Sequence, residues 1–417
     1  MKLLHTSDWH LGRLTYGQSR AADHDAVLTE IIDIARDTRP DVICHTGDLY
    51  DRPRPADADL LRGIDALQEL AAIAPVVVVC GNHDSTMLFK AFNRLLGRGG
   101  RLRFIGRPRL PDDGGVLHFP TADGAVLRLA VLPFVHANQT IDAFADPAQW
   151  GATYTARIRA IEAVLGDALV QGFDDRRDVA MFAAHLHVGG AAFCGSERQA
   201  RPLNAYATDL DGLPPISYAA FGHLHKPQPL PSTRVTGRYA GSPLQLDFGE
   251  TNDQKSVVLV DVRPGQPAHV DTVNLTAGRR LFKWEGSLDE LRAMAPAVGD
   301  EICLLTVHTP TPVAALSEQV YDLLPKATVL PINQVCADQK IEIITGADAA
   351  ADAEPDITTM FHEFLADQRT KGAAVDRVMD IFATLLHAVA EEREPTFPEE
   401  QLLTQPVGGH APEEAAS

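Results

Sequence analysis

The chain has 417 residues, 45% of them hydrophobic, and a formal net charge of −19. That length and composition fit a globular protein of two or three domains with a sizeable core. No apolar run approaches the roughly 18 residues of a membrane span, and the acidic balance excludes nucleic-acid binding by bulk charge, leaving only local basic patches for it. Met1-Lys2-Leu3-Leu4-His5 leads straight to Asp8, which leaves no room for a cleaved signal peptide, so a cytoplasmic location is expected. The five cysteines (Cys44, Cys80, Cys194, Cys303 and Cys336) show no CxxC spacing and read as thiols without a disulfide or zinc role.

Lys2–Thr6 reads as a strand. A helix from Ala21 to Arg36 follows, with Val27, Leu28, Ile31, Ile32 and Ala35 on one face, and Pro40 stops it. Asp41–His45 is the second strand, and Leu60, Leu61, Ile64, Leu67 and Leu70 mark the next helix. Pro75–Cys80 is a β-branched run of the kind buried on both faces. Between Asn93 and Arg109 stand six arginines (94, 98, 101, 103, 107, 109) and no acid. This run reads as a solvated basic loop or as a local phosphate-binding patch. Further strands are predicted at Leu127–Leu132, Val179–Ala184, Tyr218–Phe221 and Ser256–Val262. Alternating strands and helices over residues 1–275 predict an α/β domain.

Residues 279–345 read as a small accessory α/β unit: strand Leu281–Trp284, helix Leu288–Met294, strand Glu301–Val307, helix Val313–Leu323 and strand Thr328–Ile332. Residues 346–356, rich in Ala and Asp, read as a flexible acidic linker. In 357–394, Ile357, Met360, Phe361, Phe364 and Leu365 form one helical stripe, and Val375, Val378, Met379, Phe382, Leu385, Leu386 and Val389 a second. These helices either pack back on the body or dock on a partner helix or coiled coil, and the acidic tether favours docking. Residues 395–417 are expected to be a disordered tail.

Asp8-Trp9-His10, Gly47-Asp48, Gly81-Asn82-His83-Asp84, His185 and Gly222-His223-Leu224-His225 follow one another along the chain, each just after a predicted strand. In α/β folds the carboxyl ends of strands gather residues distant in sequence into one site. Carboxylates, imidazoles and an amide in this mixture suit two divalent cations, which clamp a phosphate and activate water. Asp48 is the natural bridging carboxylate, and Gly47 allows close backbone approach. Asp8 and His10 straddle Trp9, expected to be exposed, and face one metal. Alternation along Gly-His-Leu-His turns both imidazoles to one side. Oxygen and nitrogen ligands without thiolate favour Mn²⁺ or Fe²⁺, with Zn²⁺ and Mg²⁺ open. His187 could replace His185 as ligand, but His185 directly follows the strand end at Ala183-Ala184. His83 is not needed to complete either metal shell and fits a general acid, with Asp84 orienting its ring. The alternative for His83 is a merely structural histidine. Gly12–Ser19 superficially echoes a phosphate-binding loop, but Gln18 stands where the lysine is required, and the chain has no nucleotide-hydrolysis motif of its own.

This ordered set resembles the calcineurin-like metallophosphoesterases. Thr6-Ser7-Asp8-Trp9-His10-Leu11-Gly12, Gly47-Asp48-Leu49-Tyr50-Asp51 and Gly241-Ser242-Pro243-Leu244 narrow the resemblance to the nuclease-subunit family of the bacterial SbcCD complex. It implies an α/β fold, a two-sheet metallophosphoesterase sandwich with a small α/β capping domain and C-terminal helices. It also implies Mn²⁺-dependent DNA cleavage, as a 3′→5′ exonuclease on duplex ends and an endonuclease on single strands and hairpins. Carried over residue by residue, Asp8, His10, Asp48 and His225 would hold one metal. Asp48, Asn82, His185 and His223 would hold the other, and His83 would be the acid. The family implies a homodimer within a heterotetramer whose partner is an SMC-like ATPase. Phe361, Phe364, Val378, Phe382 and Leu385 would grip that partner's coiled coil. The helices around Leu60–Leu61 and Met87–Leu96 would pair two nuclease subunits. Ala184 departs from the family's usual glycine. The net charge suits a chain whose ATPase supplies much of the positive surface, with Arg52, Arg54, Arg101 and Arg103 making local DNA contacts.

The metal site alone leaves two other readings: a phosphatase or cyclic-nucleotide phosphodiesterase of the same superfamily, and a scaffold without catalysis. The accessory unit and tethered helices weigh against the first, and the complete ligand set weighs against the second.

Overall fold

The structure is a computed structural model that describes residues 1–121, 124–136, 154–194 and 207–336, with Phe361, 378–383 and 385. Strands β1 (Lys2–Thr6), β2 (Val42–His45), β3 (Val76–Val79) and β4 (Leu102–Ile105) lie side by side in parallel. A second six-stranded sheet follows from β5 (Val116–Pro120), β6 (Val126–Leu132), β7 (Asp178–His185), β8 (Tyr218–Gly222), β9 (Gln228–Pro229) and β10 (Gly237–Tyr239). Its order is β9-β10-β8-β7-β6-β5, with β6, β7, β8 and β10 parallel. The chain then returns through β11 (Ser256–Asp261) and β12 (His269–Asn274), which complete the first sheet in the order β12-β11-β1-β2-β3-β4.

Strand alternation explains why the sheets stack. Val77 and Val79 of β3 join Leu3 and Val42 against Leu129, Val131, Met181 and Ala183 of the second sheet. Val76 and Val78 point the other way, into the layer of α1 (Ala21–Thr38), α2 (Asp57–Ile73) and α3 (Thr86–Leu95). A strand buried on both faces needs apolar residues at every position, and Val76–Val79 has them. Helix α4 (Tyr154–Val170) covers the second sheet with Ile158, Ile161, Leu165 and Leu169. The result is a two-sheet α/β sandwich with both families of strands ending at the same edge.

The sequence reading did not include helix α4, strands β5, β9, β10 and β12 or the strand Asn333–Cys336, and it gave one segment a different form. Leu102–Ile105 is a strand, with Leu102, Phe104 and Ile105 buried, where the arginine run suggested a loop. Strand-period apolar residues sit between the arginines, and burial of that face outweighs the charges. Cys44, Cys80 and Cys303 are buried free thiols.

Met1–Gln339 and Lys340–Ser417 form two units, each described by itself. The first also contains a parallel sheet of β13 (Leu281–Ser287), β14 (Ile302–Thr309), β15 (Thr328–Val329) and β16 (Asn333–Cys336), in which β14 pairs with all three others. Helices α5 (Leu288–Met294) and α6 (Leu316–Leu323) cover it through Leu291, Leu316 and Val320. Ser287 and Glu290 form a reciprocal capping box at the start of α5. In the second unit Phe361 stacks on Phe382, with ring centroids 4.1 Å apart, and Leu385 is exposed. Phe364, the 346–356 linker and the 395–417 tail lie outside the described residues. Among the described residues no helix is long and apolar enough to cross a membrane.

Candidate metal centre

Five strand ends deliver the predicted residues to one edge. Asp8 and His10 follow β1, Asp48 follows β2, and Asn82 and His83 follow β3. His185 closes β7 and His223 follows β8, with His185 and Gly222 paired in register. Backbone bonds zip the loops together: Asp8 N–H donates to Gly47 O at 2.9 Å, and His10 N–H to Asp48 O at 3.0 Å. Asp8, His10, Asp48 and His223 all have positive φ, at 51°, 47°, 54° and 101°. Non-glycine residues at such angles cost about 1–3 kcal/mol each and concentrate at functional sites. The strain falls on four of the seven predicted ligands, where the backbone must turn sharply to aim each donor inward.

Asp48 is the hub. Its Oδ2 lies 3.5 Å from His10 Nε2 and 3.5 Å from His185 Nε2, and its Oδ1 accepts the His83 N–H at 2.8 Å. Asn82 Oδ1 is 2.9 Å from both His185 Nε2 and His223 Nδ1. His10 Nε2 faces His225 Nε2 at 3.0 Å. Asp8 accepts the His223 N–H. Donor atoms of Asp8, His10 and His225, and of Asp8, Asp48 and His185, cluster closely enough to share an ion. Two imidazole nitrogens 3.0 Å apart repel unless a proton or a cation takes a lone pair. The donor set therefore fits a pair of divalent cations.

The electrostatics agree. Burial lowers His10 to about 4 and holds His223 well below the usual imidazole range, so both present lone pairs. Burial also disfavours the His185 cation, but the Asp48 carboxylate overrides it and raises His185 to about 9. Asp48, although buried, is held well below the carboxylate range, chiefly by His185. Burial raises Asp8 to about 6 against the pull of His185 and His225. An unmetallated centre thus carries a proton on His185 that a cation would displace.

Several expectations need correction in detail. Trp9 is fully buried, with its indole N–H on Thr6 Oγ1 at 2.9 Å and its ring edge-on to His45. It anchors the loop from below, so Asp8 and His10 turn inward through αL backbone geometry rather than around an exposed ring. His223 and His225 converge similarly, because β8 ends at Gly222 and the positive φ of His223 breaks the extended alternation. Asp84 does not touch the His83 ring. Its carboxylate accepts N–H bonds from Gly81 (2.9 Å), Tyr50 (3.1 Å) and Leu49 (3.3 Å), joining the Asp48 and Asn82 loops. His83 is oriented instead by Asp51, whose carbonyl accepts from Nδ1 at 2.8 Å. That bond leaves Nε2 as the nitrogen available for chemistry.

The arginines separate. Arg52 and Arg54 are exposed on the loop after Asp48, and Arg52 lies 3.8 Å from the Asp51 carboxylate. Arg101 and Arg103 sit at the amino end of β4, the end opposite the metal edge. Arg101 donates to the carbonyls of Ala71 and Ala72, and Arg103 lies over the Phe119 ring. His187 packs on Phe193, outside the ligand clusters.

Three contributors were given no role by the sequence. Asp51 lies 3.5 Å from His10 Nδ1, Glu250 lies 3.6 Å from His225 Nδ1, and the Phe134 ring stands about 6 Å from His185 and His223. Glu250 and Phe134 belong to segments whose spacing resembles any loop, and Asp51, although within the Gly47–Asp51 motif, gives no local sign of which ring it faces.

Residues 1–227 match the calcineurin-like phosphoesterase family model. The chain belongs to this family. Within it, the chain is similar to SbcD of the Bacillus subtilis SbcCD nuclease, 32% identical over 304 residues, which span 69% of this chain and 73% of the relative. It is also similar to SbcD of the Escherichia coli K12 SbcCD nuclease, 25% identical over 415 residues, covering 94% of this chain and all of the relative. A third SbcD, from Rhodobacter capsulatus, is 31% identical over 291 residues, 65% of this chain and 69% of its own. Family and donor set together define a metal-dependent phosphoester hydrolase.

Proposed function

We propose that the chain is the nuclease subunit of an ATP-dependent SbcCD-type complex that hydrolyses DNA phosphodiester bonds with two divalent metals, Mn²⁺ foremost. The activities are 3′→5′ exonuclease on duplex ends and endonuclease on single strands and hairpins, acting in DNA repair, recombination and replication in the cytoplasm. One observation carries the reading. Asp8, His10, Asp48, Asn82, His185, His223 and His225 converge on one buried edge in a chain that aligns along 94% of its length with an SbcD of the SbcCD nuclease.

Asp8, His10 and His225 would hold one ion, Asn82, His185 and His223 the other, and Asp48 both. When bound, such a pair supplies Lewis acidity toward phosphoryl oxygens and activates water at neutral pH. The protein's own residues do the rest. Asp48, bonded through Oδ1 to the His83 N–H, holds the acid at a fixed offset from the ligands. His83 in its doubly protonated form, with Nδ1–H held by Asp51 O, would deliver its Nε2 proton to the departing oxygen. Arg52 and Arg54 take neighbouring phosphates, a local cationic patch on a chain of net charge −19. Arg101 and Arg103 have no part in this. Residues 1–275 are the nuclease domain, 279–345 the capping domain and 346–356 the tether.

The helices at 357–394 dock on the coiled coil of an SMC-like ATPase through Phe361, Val378, Phe382 and Leu385. Two copies pair through α2 and α3, where Leu61, Met87 and Leu95 are 58%, 63% and 73% exposed. The test is cleavage of an end-labelled duplex and a DNA hairpin in Mn²⁺, with the chain alone and with its partner ATPase. EDTA should abolish cleavage and Mn²⁺ restore it. Metal binding without DNA cleavage in either condition, with rapid hydrolysis of cyclic AMP or a phosphomonoester, would overturn the nuclease reading in favour of a small-substrate phosphoesterase.

A further inference from the structure

His225 uses its two nitrogens in two directions. Nε2 faces His10 in the donor cluster, and Nδ1 lies 3.6 Å from Glu250 Oε1. Glu250 is wholly buried and Lys255 is 5% exposed. Lys255 Nζ donates to Glu250 Oε2 at 2.6 Å, to the His225 carbonyl at 2.9 Å and to Ser242 Oγ at 3.0 Å. One ammonium thus grips both the backbone of His225 and the carboxylate beside its ring. The Leu246 N–H also donates to Glu250 Oε2 at 3.1 Å. Gln245 Nε2 ties the carbonyls of Glu250, Thr251 and Asp253, while its Oε1 accepts the Leu281 N–H at 2.8 Å, at the first residue of β13.

A buried ion pair is a poor source of stability, because desolvation offsets most of its Coulomb attraction. This pair is held on both sides by hydrogen bonds and aimed at a ligand histidine. We infer that Glu250 is a positioning residue, held by Lys255, that faces the Nδ1–H of His225 as its acceptor, so that His225 keeps that proton and turns the Nε2 lone pair toward the metal cluster. The inference rests on His225 being a metal ligand. Carboxylates behind ligating imidazoles fix tautomer and ring orientation, and their loss weakens metal affinity about 10–100-fold.

Charge alone could mimic the effect, since removing an anion near a cation site weakens binding. The sign at Lys255 separates the two. Lys255→Met removes a cation, so charge alone would tighten Mn²⁺ binding, whereas losing the grip on Glu250 and His225 weakens it. The experiment is calorimetric titration of the full-length apoprotein with Mn²⁺, with thermal unfolding to show that each variant is folded. The wild type should bind two ions. Glu250→Gln should lose about 10–100-fold at one site and keep the other. The charge-balanced double variant Glu250→Gln/Lys255→Met should stay as weak as the single. Should the double variant fail to fold, Lys255→Met alone decides by the direction of its change. Wild-type affinity in Glu250→Gln, recovery in the double variant, or tighter binding in Lys255→Met would each overturn the positioning role. A wild type that binds no Mn²⁺ would bring down the metal-site reading itself, a distinct result.

Discussion

Replacing Asp84 with alanine should loosen two metal loops at once. Its carboxylate accepts the N–H groups of Gly81, Tyr50 and Leu49 at 2.9–3.3 Å, all in the buried interior. Each buried N–H left without a partner costs about 1–3 kcal/mol, so three cost roughly 3–9 kcal/mol, toward the lower end if water enters. Asp84→Asn keeps one acceptor oxygen but turns an amide N–H₂ toward the donors, and should cost about one such bond, roughly 1–3 kcal/mol. Burial and the Asp48 charge push the Asp84 carboxyl up to about 7, and the three N–H groups offset only part of that rise. Guanidinium unfolding should report the stability loss and Mn²⁺ titration a parallel loss of affinity, because Asp48 and Asn82 ride on the loops that Asp84 joins. If Asp84→Ala kept wild-type stability and Mn²⁺ affinity and lost only turnover, the carboxylate would be serving His83 and the loop-tying account would be wrong.

His83→Gln should lower kcat on DNA by about 10²–10⁴-fold with Mn²⁺ stoichiometry intact; loss of metal instead would make His83 a ligand. Gly81→Ala should abolish Mn²⁺ binding, since a Cβ there would overlap the Asp48 carboxylate and backbone, and an unaltered titration would refute that packing. Glu162 on α4 is fully buried, and neither of its oxygens has a hydrogen-bond partner among the described residues. Burial, reinforced by the Asp209 charge, raises its carboxyl from 4.5 to about 9. Within that window the folded chain keeps a proton that the unfolded chain has lost, so stability falls as pH rises, by about 1.4 kcal/mol per pH unit. Glu162→Gln should remove that slope and gain on the order of 2–3 kcal/mol over wild type between pH 6 and pH 8 in chemical unfolding. Parallel pH profiles for the two proteins would show that Glu162 is not held neutral.

The residues that converge at the site and the strands that carry them were legible in the chain because both signals are local. Val76–Val79 reads as a strand from its β-branched run alone, and Gly81-Asn82-His83-Asp84 reads as chemistry from adjacent residues. Leu102–Ile105 was obscured because the flanking arginines dominate its composition, although Leu102 and Phe104 keep the strand period. Asp84 was recognised as part of the site but given the wrong contact, since adjacency to His83 says nothing of which backbone a carboxylate turns toward. By itself the sequence determined the α/β class, the strands that lead into the site and the residues gathered at their ends, all consequences of period and residue type. Tertiary structure alone decided that Trp9 is buried, that Asp51 rather than Asp84 orients His83, that Arg101 and Arg103 lie at the far end of their strand, and that Glu250 stands behind His225. Those are distances between residues far apart along the chain, set by how the two sheets pack, and no local pattern encodes them.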